Sequence, residues 1–131
     1  MTFALDTNTL IYFFKGLGRV KEELIAVSPG DVAIPSVVLY ELEVGIAQSS
    51  QPSKRRAQLD ALLAVVTVLP FDAEAAKRAA EVGAALAKAG AAIGPMDNLI
   101  AGTALANGAT LVTHNAREFR RVRGLHLADW Y

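Results

Sequence analysis

Short apolar, β-branched runs alternate along this chain with longer stretches of helical periodicity, and that alternation is its strongest constraint. Thr2–Leu5, Val32–Ile34, Val65–Leu69 and Thr110–Val112 read as buried strands, and Leu125–Leu127 as a fifth strand at an edge. Between them lie segments with helix signals. Asn8 or Thr9 caps a helix through Phe14, and a second runs from Val20 to Val27. Ser36 caps a third to about Ala47, after Pro35 has stopped the second strand. A fourth helix spans Lys54–Ala64, beyond the polar break Gln48–Ser53. Asp72 caps a long helix to Ala89. It has Glu74 in its first turn, Lys88 in its last and Gly90 just past its end, as the helix dipole and capping preferences favour. Pro95 opens the next helix as its first residue, and Asn107-Gly108 closes it. A short helix covers Ala116–Arg121. Strands and helices in this order build an α/β fold: a mostly parallel sheet of four or five strands with helices on both faces. At 131 residues, positions 1–131 form one domain.

In such sheets ligands bind outside the carboxyl ends of the strands. Asp6 ends the first strand, and His114 and Asn115 follow the fourth. Asp6 has two readings, a cap for the next helix or a metal ligand. Asp97, near the start of its helix, also has two. The helix dipole favours a carboxylate there. Yet Ile100, Ala101 and Ala104 share its face, and a carboxylate beside an apolar face needs a partner such as a divalent cation. Glu41 and Glu43 both lie in an apolar helix, and periodicity does not choose between them. Asn115 reads either as a helix cap or as a ligand.

The chain has no cysteine, which excludes disulfides, thiolate zinc sites and cysteine nucleophiles and fits a reducing compartment. The segment Met1–Asp6 lacks a basic region and a long apolar core, so no signal peptide is expected. No apolar stretch of about 18 residues is free of charge, so no membrane span and a cytoplasmic location are expected. The formal net charge is zero, so bulk charge does not announce a nucleic-acid binder. Distribution is more informative. Arg117, Arg120, Arg121 and Arg123 crowd one segment, Lys54-Arg55-Arg56 another, and Lys15, Arg19 and Lys21 a third. Such runs ordinarily solvate surfaces. Arg117, Arg120 and Arg121 are the best candidates for phosphate contacts.

Four motifs, in order, resemble the PIN-domain family, and in particular the VapC toxins of bacterial toxin–antitoxin pairs. They are Leu5-Asp6-Thr7-Asn8, Ser36 through Glu41-Leu42-Glu43-Val44-Gly45, Gly94-Pro95-Met96-Asp97-Asn98-Leu99-Ile100-Ala101, and Leu111-Val112-Thr113-His114-Asn115-Ala116-Arg117-Glu118-Phe119. The resemblance extends to Asp129-Trp130-Tyr131. It implies that Asp6, Glu41 and Asp97 gather at one end of the sheet and bind Mg²⁺ or Mn²⁺. It chooses Glu41 over Glu43, because Glu41 precedes the Leu42-to-Gly45 step. It implies a helical clip near residues 54 to 64, a homodimer, and an antitoxin whose basic or aromatic tail covers the site. It further implies endoribonuclease activity leaving 5′-phosphate and 3′-hydroxyl ends, with a structured RNA such as initiator tRNA as substrate. One position departs from the family's commonest pattern. Where a fourth acid usually stands, two residues after Thr113, this chain has Asn115. The fourth place is therefore split between Asn115 and Glu118, with Thr113 a candidate to orient a neighbouring carboxylate.

The chemistry suits that assignment. Phosphodiester hydrolysis needs an in-line nucleophile and cover for charge on phosphoryl and leaving oxygens, and a hard divalent cation supplies both. Such cations take oxygen ligands, hence carboxylates. Packed carboxylates repel one another, so the empty site should bind metal or hold a proton at neutral pH. Asp6 and Asp97 are expected to hold the main ion, with Glu41 assisting or orienting water. Three rival readings have distinct signatures. A metal-free ribonuclease would pair His114 with His126 as acid and base. A receiver-like signalling domain would need paired acids after the first strand and a late lysine. A non-catalytic PIN fold would only bind RNA or protein.

Overall fold

The computed structural model describes all residues, 1–131. Five strands, β1 (Phe3–Leu5), β2 (Val32–Pro35), β3 (Thr67–Leu69), β4 (Thr110–Val112) and β5 (His126–Ala128), form one sheet in the order β3-β2-β1-β4-β5. Every pairing is parallel. Seven α-helices connect them: α1 (Thr7–Lys15), α2 (Val20–Ala26), α3 (Ser36–Ala47), α4 (Pro52–Leu63), α5 (Ala73–Lys88), α6 (Pro95–Ala106) and α7 (Ala116–Phe119). A 3-10 turn at Pro29–Asp31 leads into β2.

Successive strand residues face opposite sides of a sheet. Ala4 and Leu5, Ala33 and Ile34, and Leu111 and Val112 are all buried, so both faces of the three central strands are covered. Leu10, Val38, Leu42, Leu59, Ile100, Ala104 and Phe119 from the helices complete the core. Loss of a fully buried side chain such as Leu111 costs about 2–5 kcal/mol on truncation to Ala.

The α5–α6 pair is the tightest helix contact. A Cβ placed on Gly102 would lie 2.5 Å from the Cβ and backbone nitrogen of Ala79. The small residue is what lets the two backbones approach. Asn98 of α6 lies against Gly83 of α5, its Nδ2 3.3 Å from where a Cβ would stand.

Several expected boundaries move for identifiable reasons. Asp6, not Asn8 or Thr9, is the N-cap of α1, because its side chain accepts the Thr9 N–H. Ser36 does not cap α3. Pro35 occupies that position and is also the last residue of β2, paired with Leu69, while the Ser36 hydroxyl accepts the N–H of Phe71. α4 starts two residues earlier than expected because Pro52 takes its first turn. Val65 and Val66 belong to the turn that closes α4, both donating to Leu62 O, so β3 is only three residues long and its Val68 is exposed at the edge. The edge position of β5 is as expected, shifted by one residue.

β1 is the switch point. The chain runs outward from β1 through β2 to β3, then returns through α5 and α6 to β4 on the other side of β1. The crevice at the carboxyl ends of β1 and β4 is where this topology places a ligand.

Candidate active site

Asp6 stands one residue past β1. Its N–H donates to Val112 O at 3.1 Å, prolonging the β1–β4 ladder, and its Oδ1 accepts the N–H of Thr9 at 2.9 Å. Thr9 Oγ1 donates to the same Val112 carbonyl at 3.1 Å. Asp6 is therefore buried, at 6 % exposure, and held on both sides. The capping reading of Asp6 holds, since Oδ1 takes the Thr9 N–H, and the charge of the same group acts on Asp97.

Asp97 sits in the first turn of α6, two residues after Pro95. Burial, the negative charges of Glu118, Asp6 and Glu41, and a hydrogen bond with Glu118 push its carboxyl up to about 6. Four acids from α3, α6, α7 and the end of β1 thus converge, and none of them is in an ion pair. Residues 91 positions apart in sequence, Asp6 and Asp97, meet because the sheet order sets β4 and α6 beside β1.

Glu41 and Glu43 separate cleanly. Glu41 Oε1 accepts the Thr7 hydroxyl at 2.6 Å, tying α3 to the start of α1. Glu43 is taken by Arg56 of α4, whose Nη2 lies 2.6 Å from Oε1 and 3.1 Å from Oε2. Only Glu41 faces the cluster. Thr7 was not foreseen as a holder of Glu41; nothing in its neighbourhood along the chain points to a residue 34 positions away.

Of the two residues that contest the fourth place, Glu118 is the one that acts on Asp97. α7 turns Glu118 towards Asp97, whereas Asn115 is exposed and its side chain makes no cap bond. Thr113 does not orient a carboxylate. Its buried hydroxyl accepts the backbone N–H of Asn115 at 2.9 Å and so fixes the turn from β4 into α7.

The arginines divide. Arg117 and Arg120 are exposed and form no ion pair. Arg121 is committed elsewhere: its Nη1 donates to Ala91 O and Ala92 O in the α5–α6 connection, at 3.4 and 3.2 Å. This staple uses Nη1 alone, and Arg121 remains exposed.

The two histidines are not a pair. In the β4–β5 register His126 lies opposite Thr110, four residues before His114. At the strand rise that is about 13 Å. His114 instead bonds Asp129, Nδ1 to Oδ2 at 2.9 Å, and stacks on Tyr131. Burial raises the Asp129 carboxyl, but the Tyr131 N–H and His114 outweigh it and hold the group below its ordinary value.

The donor set is all oxygen, which suits a hard cation. No three of its members close on one point as a finished cage. Mg²⁺ does not need one, since it commonly takes one or two carboxylates and keeps several waters. Beside Glu41 a groove of about 320 Å³ runs between α1, α3 and α4. Ile11, Phe14, Leu42, Ile46 and Leu59 line it, with Lys15 and Arg55 among them. Sequence reading marked Lys15 and Arg55 only as members of charge runs.

The PIN domain family model matches residues 3–125. The tRNA(fMet)-specific endonuclease VapC of Shigella flexneri is 38% identical over 130 residues, covering 99% of this chain and 98% of that protein. The protein of the same name from Salmonella typhimurium is 35% identical with the same coverage. Among solved structures, VapBC2 of Rickettsia felis bound to a promoter DNA fragment superposes with a TM-score of 0.93 at 33% identity, covering 100% of both chains. With the switch-point acids in place and the likeness running end to end, the chain belongs to the PIN-domain family, among its VapC members.

Proposed function

We propose that this protein is an endoribonuclease, the toxin of a VapBC-type toxin–antitoxin pair, and that it hydrolyses RNA with a divalent cation, Mg²⁺ or Mn²⁺. The observation that carries this reading is the convergence of Asp6, Glu41, Asp97 and Glu118, with Asp97 driven up to about 6 by burial and by the other three. A site that gathers this much repulsion with none of its acids in an ion pair is suited to receive a cation.

Asp6 and Asp97 would hold the ion, with Glu41 and Glu118 beside them. A bound ion lowers the pKa of attacking water and offsets charge on the phosphoryl group. The chain's own residues do the rest. Thr7 fixes the Glu41 carboxylate, leaving its second oxygen to orient water. Asp6 is locked by the α1 cap, so its position does not relax when charge develops. Arg117 and Arg120, unpaired and on the rim, are available to the RNA backbone. The product ends would be 5′-phosphate and 3′-hydroxyl.

Two relatives carry the name tRNA(fMet)-specific endonuclease, which supports initiator tRNA as substrate. The solved neighbours that are VapBC complexes support a cognate antitoxin. The groove beside Glu41, lined by apolar side chains together with Glu41, Lys15 and Arg55, is a candidate seat for its tail. A homodimer is consistent with the exposed Tyr40, Val44, Val65 and Val68 along α3 and the β3 edge.

Expression in a bacterial host tests the reading. Induction is expected to arrest growth, the arrested cells are expected to contain initiator tRNA cut in one place, and co-expression of the adjacent small gene product should restore growth. Intact tRNA in growing cells that contain soluble protein would count against it.

A further inference from the structure

Beyond the acids, the carboxyl end of the sheet carries a second built feature that the mechanism leaves unused. His114 and Tyr131 stack with ring centroids 4.2 Å apart at 24°. Tyr12 of α1 meets both edge-on, at 4.8 Å and 70° to Tyr131 and at 6.1 Å and 83° to His114. Asp129 fixes the arrangement. Its Oδ2 bonds His114 Nδ1, and its Oδ1 accepts the Tyr131 N–H, each at 2.9 Å. The Tyr131 carbonyl accepts the N–H of Arg19 at 3.2 Å. Gly18, at φ +63°, leaves room for the Tyr131 ring, since a Cβ there would stand 2.9 Å from it.

Holding down the tail does not require these rings. Trp130 already does so, buried at 7 % exposure against Phe3 with centroids 5.3 Å apart. By contrast His114 keeps 46% of its side chain exposed, and Tyr131 is 46% exposed. Even with Tyr131 stacked on it, Asp129 at Nδ1 and Tyr12 edge-on, nearly half of the His114 side chain remains open to solvent. A half-exposed, pre-ordered aromatic surface is an unusual thing to leave in water.

Its place is informative. His114 lies two residues, at most about 7 Å of chain, beyond Val112, whose carbonyl in turn bonds the Asp6 N–H at 3.1 Å. It also directly precedes the turn that delivers Glu118. Single-stranded and loop RNA is gripped by stacking splayed bases on aromatic and imidazole rings.

We propose that His114 and Tyr131, buttressed by Tyr12 and set by Asp129, form a stacking platform for an unpaired nucleobase of the RNA, next to the scissile phosphate. The inference rests on the ribonuclease reading and adds to it a subsite for one flipped base. His114 and Tyr131 are positioning residues; the acids remain the reacting centre.

The test uses the full chain and a short hairpin RNA with 2-aminopurine placed in turn at each loop position. Binding is followed by fluorescence in Ca²⁺, and cleavage in Mg²⁺. At one loop position the wild-type protein is expected to quench the probe by stacking. His114→Ala and Tyr131→Leu should each lose that quench and bind about tenfold more weakly, the contribution of one base stack. Tyr131→Phe and His114→Phe should retain it. Unchanged quenching and affinity in His114→Ala, with RNA still cut, would overturn the platform and leave the nuclease. Loss of antitoxin binding in His114→Ala with RNA binding intact would also overturn it, assigning the rings to the protein partner. If the wild-type protein neither bound nor cut any RNA of the panel, both readings would fall together.

Discussion

Asp6 divides its work between two oxygens, and substitutions separate the two jobs. Asp6→Ala removes the α1 cap as well as the charge and should cost about 1 kcal/mol of stability. Asn keeps a capping oxygen, so Asp6→Asn should unfold at nearly the wild-type urea midpoint. Asp97 gives a pH signature. Its folded value of about 6 stands above the ordinary 3.8, so the native state prefers the protonated form. Below about pH 4 both states are protonated and the group contributes no penalty; the penalty develops as pH rises from about 4 to 6 and persists above. Metal-free protein should therefore lose stability through that window, and Asp97→Asn should not. With screening allowed for, the gap at about pH 7.5 is on the order of 1 kcal/mol in favour of the variant, vanishing near pH 4. Urea titrations in EDTA at both pH values check this. Glu118 and Asn115 are separable too: Glu118→Gln should slow cleavage by about tenfold or more, whereas Asn115→Ala should have the smaller effect, as its side chain faces solvent.

At the scale of elements, helix-terminus chemistry was legible where a residue acts on its own neighbours. Asp72 accepts the Ala75 N–H and Gly90 takes φ +66°, as capping rules require. It failed where a long-range partner outbid the local one. Ser36 looks like a cap, but Phe71, 35 residues on, claims its hydroxyl. Val65 and Val66 look like strand, but the end of α4 claims their N–H groups. Glycines inside helices carry no such signal, and Gly102 shows why they matter. Gly102→Ala would drive a methyl to 2.5 Å from Ala79 and part α5 from α6. A loss of about 1–3 kcal/mol is expected, read as a lower melting temperature. Because α6 presents Asp97, the same variant should also weaken cation binding.

Across the whole molecule, the parallel α/β frame was readable from the alternation of strands and helices, whereas the choice of Asp6, Glu41 and Asp97 came from the resemblance of four motifs to a family, since local patterning left Asp6 and Asp97 with two readings each and did not separate Glu41 from Glu43. The approach of Glu118 to Asp97 was not legible, since it depends on the rotation of a four-residue helix. The Tyr12–His114–Tyr131 cluster was not either, because its members are spread over the chain and meet only when β5 closes the sheet's edge. Four acids gathered with none in an ion pair make the native state the better cation binder, so Mn²⁺ should raise the melting temperature in a concentration-dependent way. Asp97→Asn should blunt that rise. No helix is long and apolar enough to cross a membrane.

If a cation held by Asp6 and its partners supports RNA cleavage, the cation and Asp6 should both be indispensable. Cleavage of initiator tRNA by wild type and Asp6→Asn, side by side in Mg²⁺ and in excess EDTA, tests it most directly. The expected result is cutting by the wild type only in Mg²⁺, and a rate about a hundredfold lower or less for a variant that melts like the wild type. Equal rates for the two proteins, or cutting that persists in EDTA, would contradict the account.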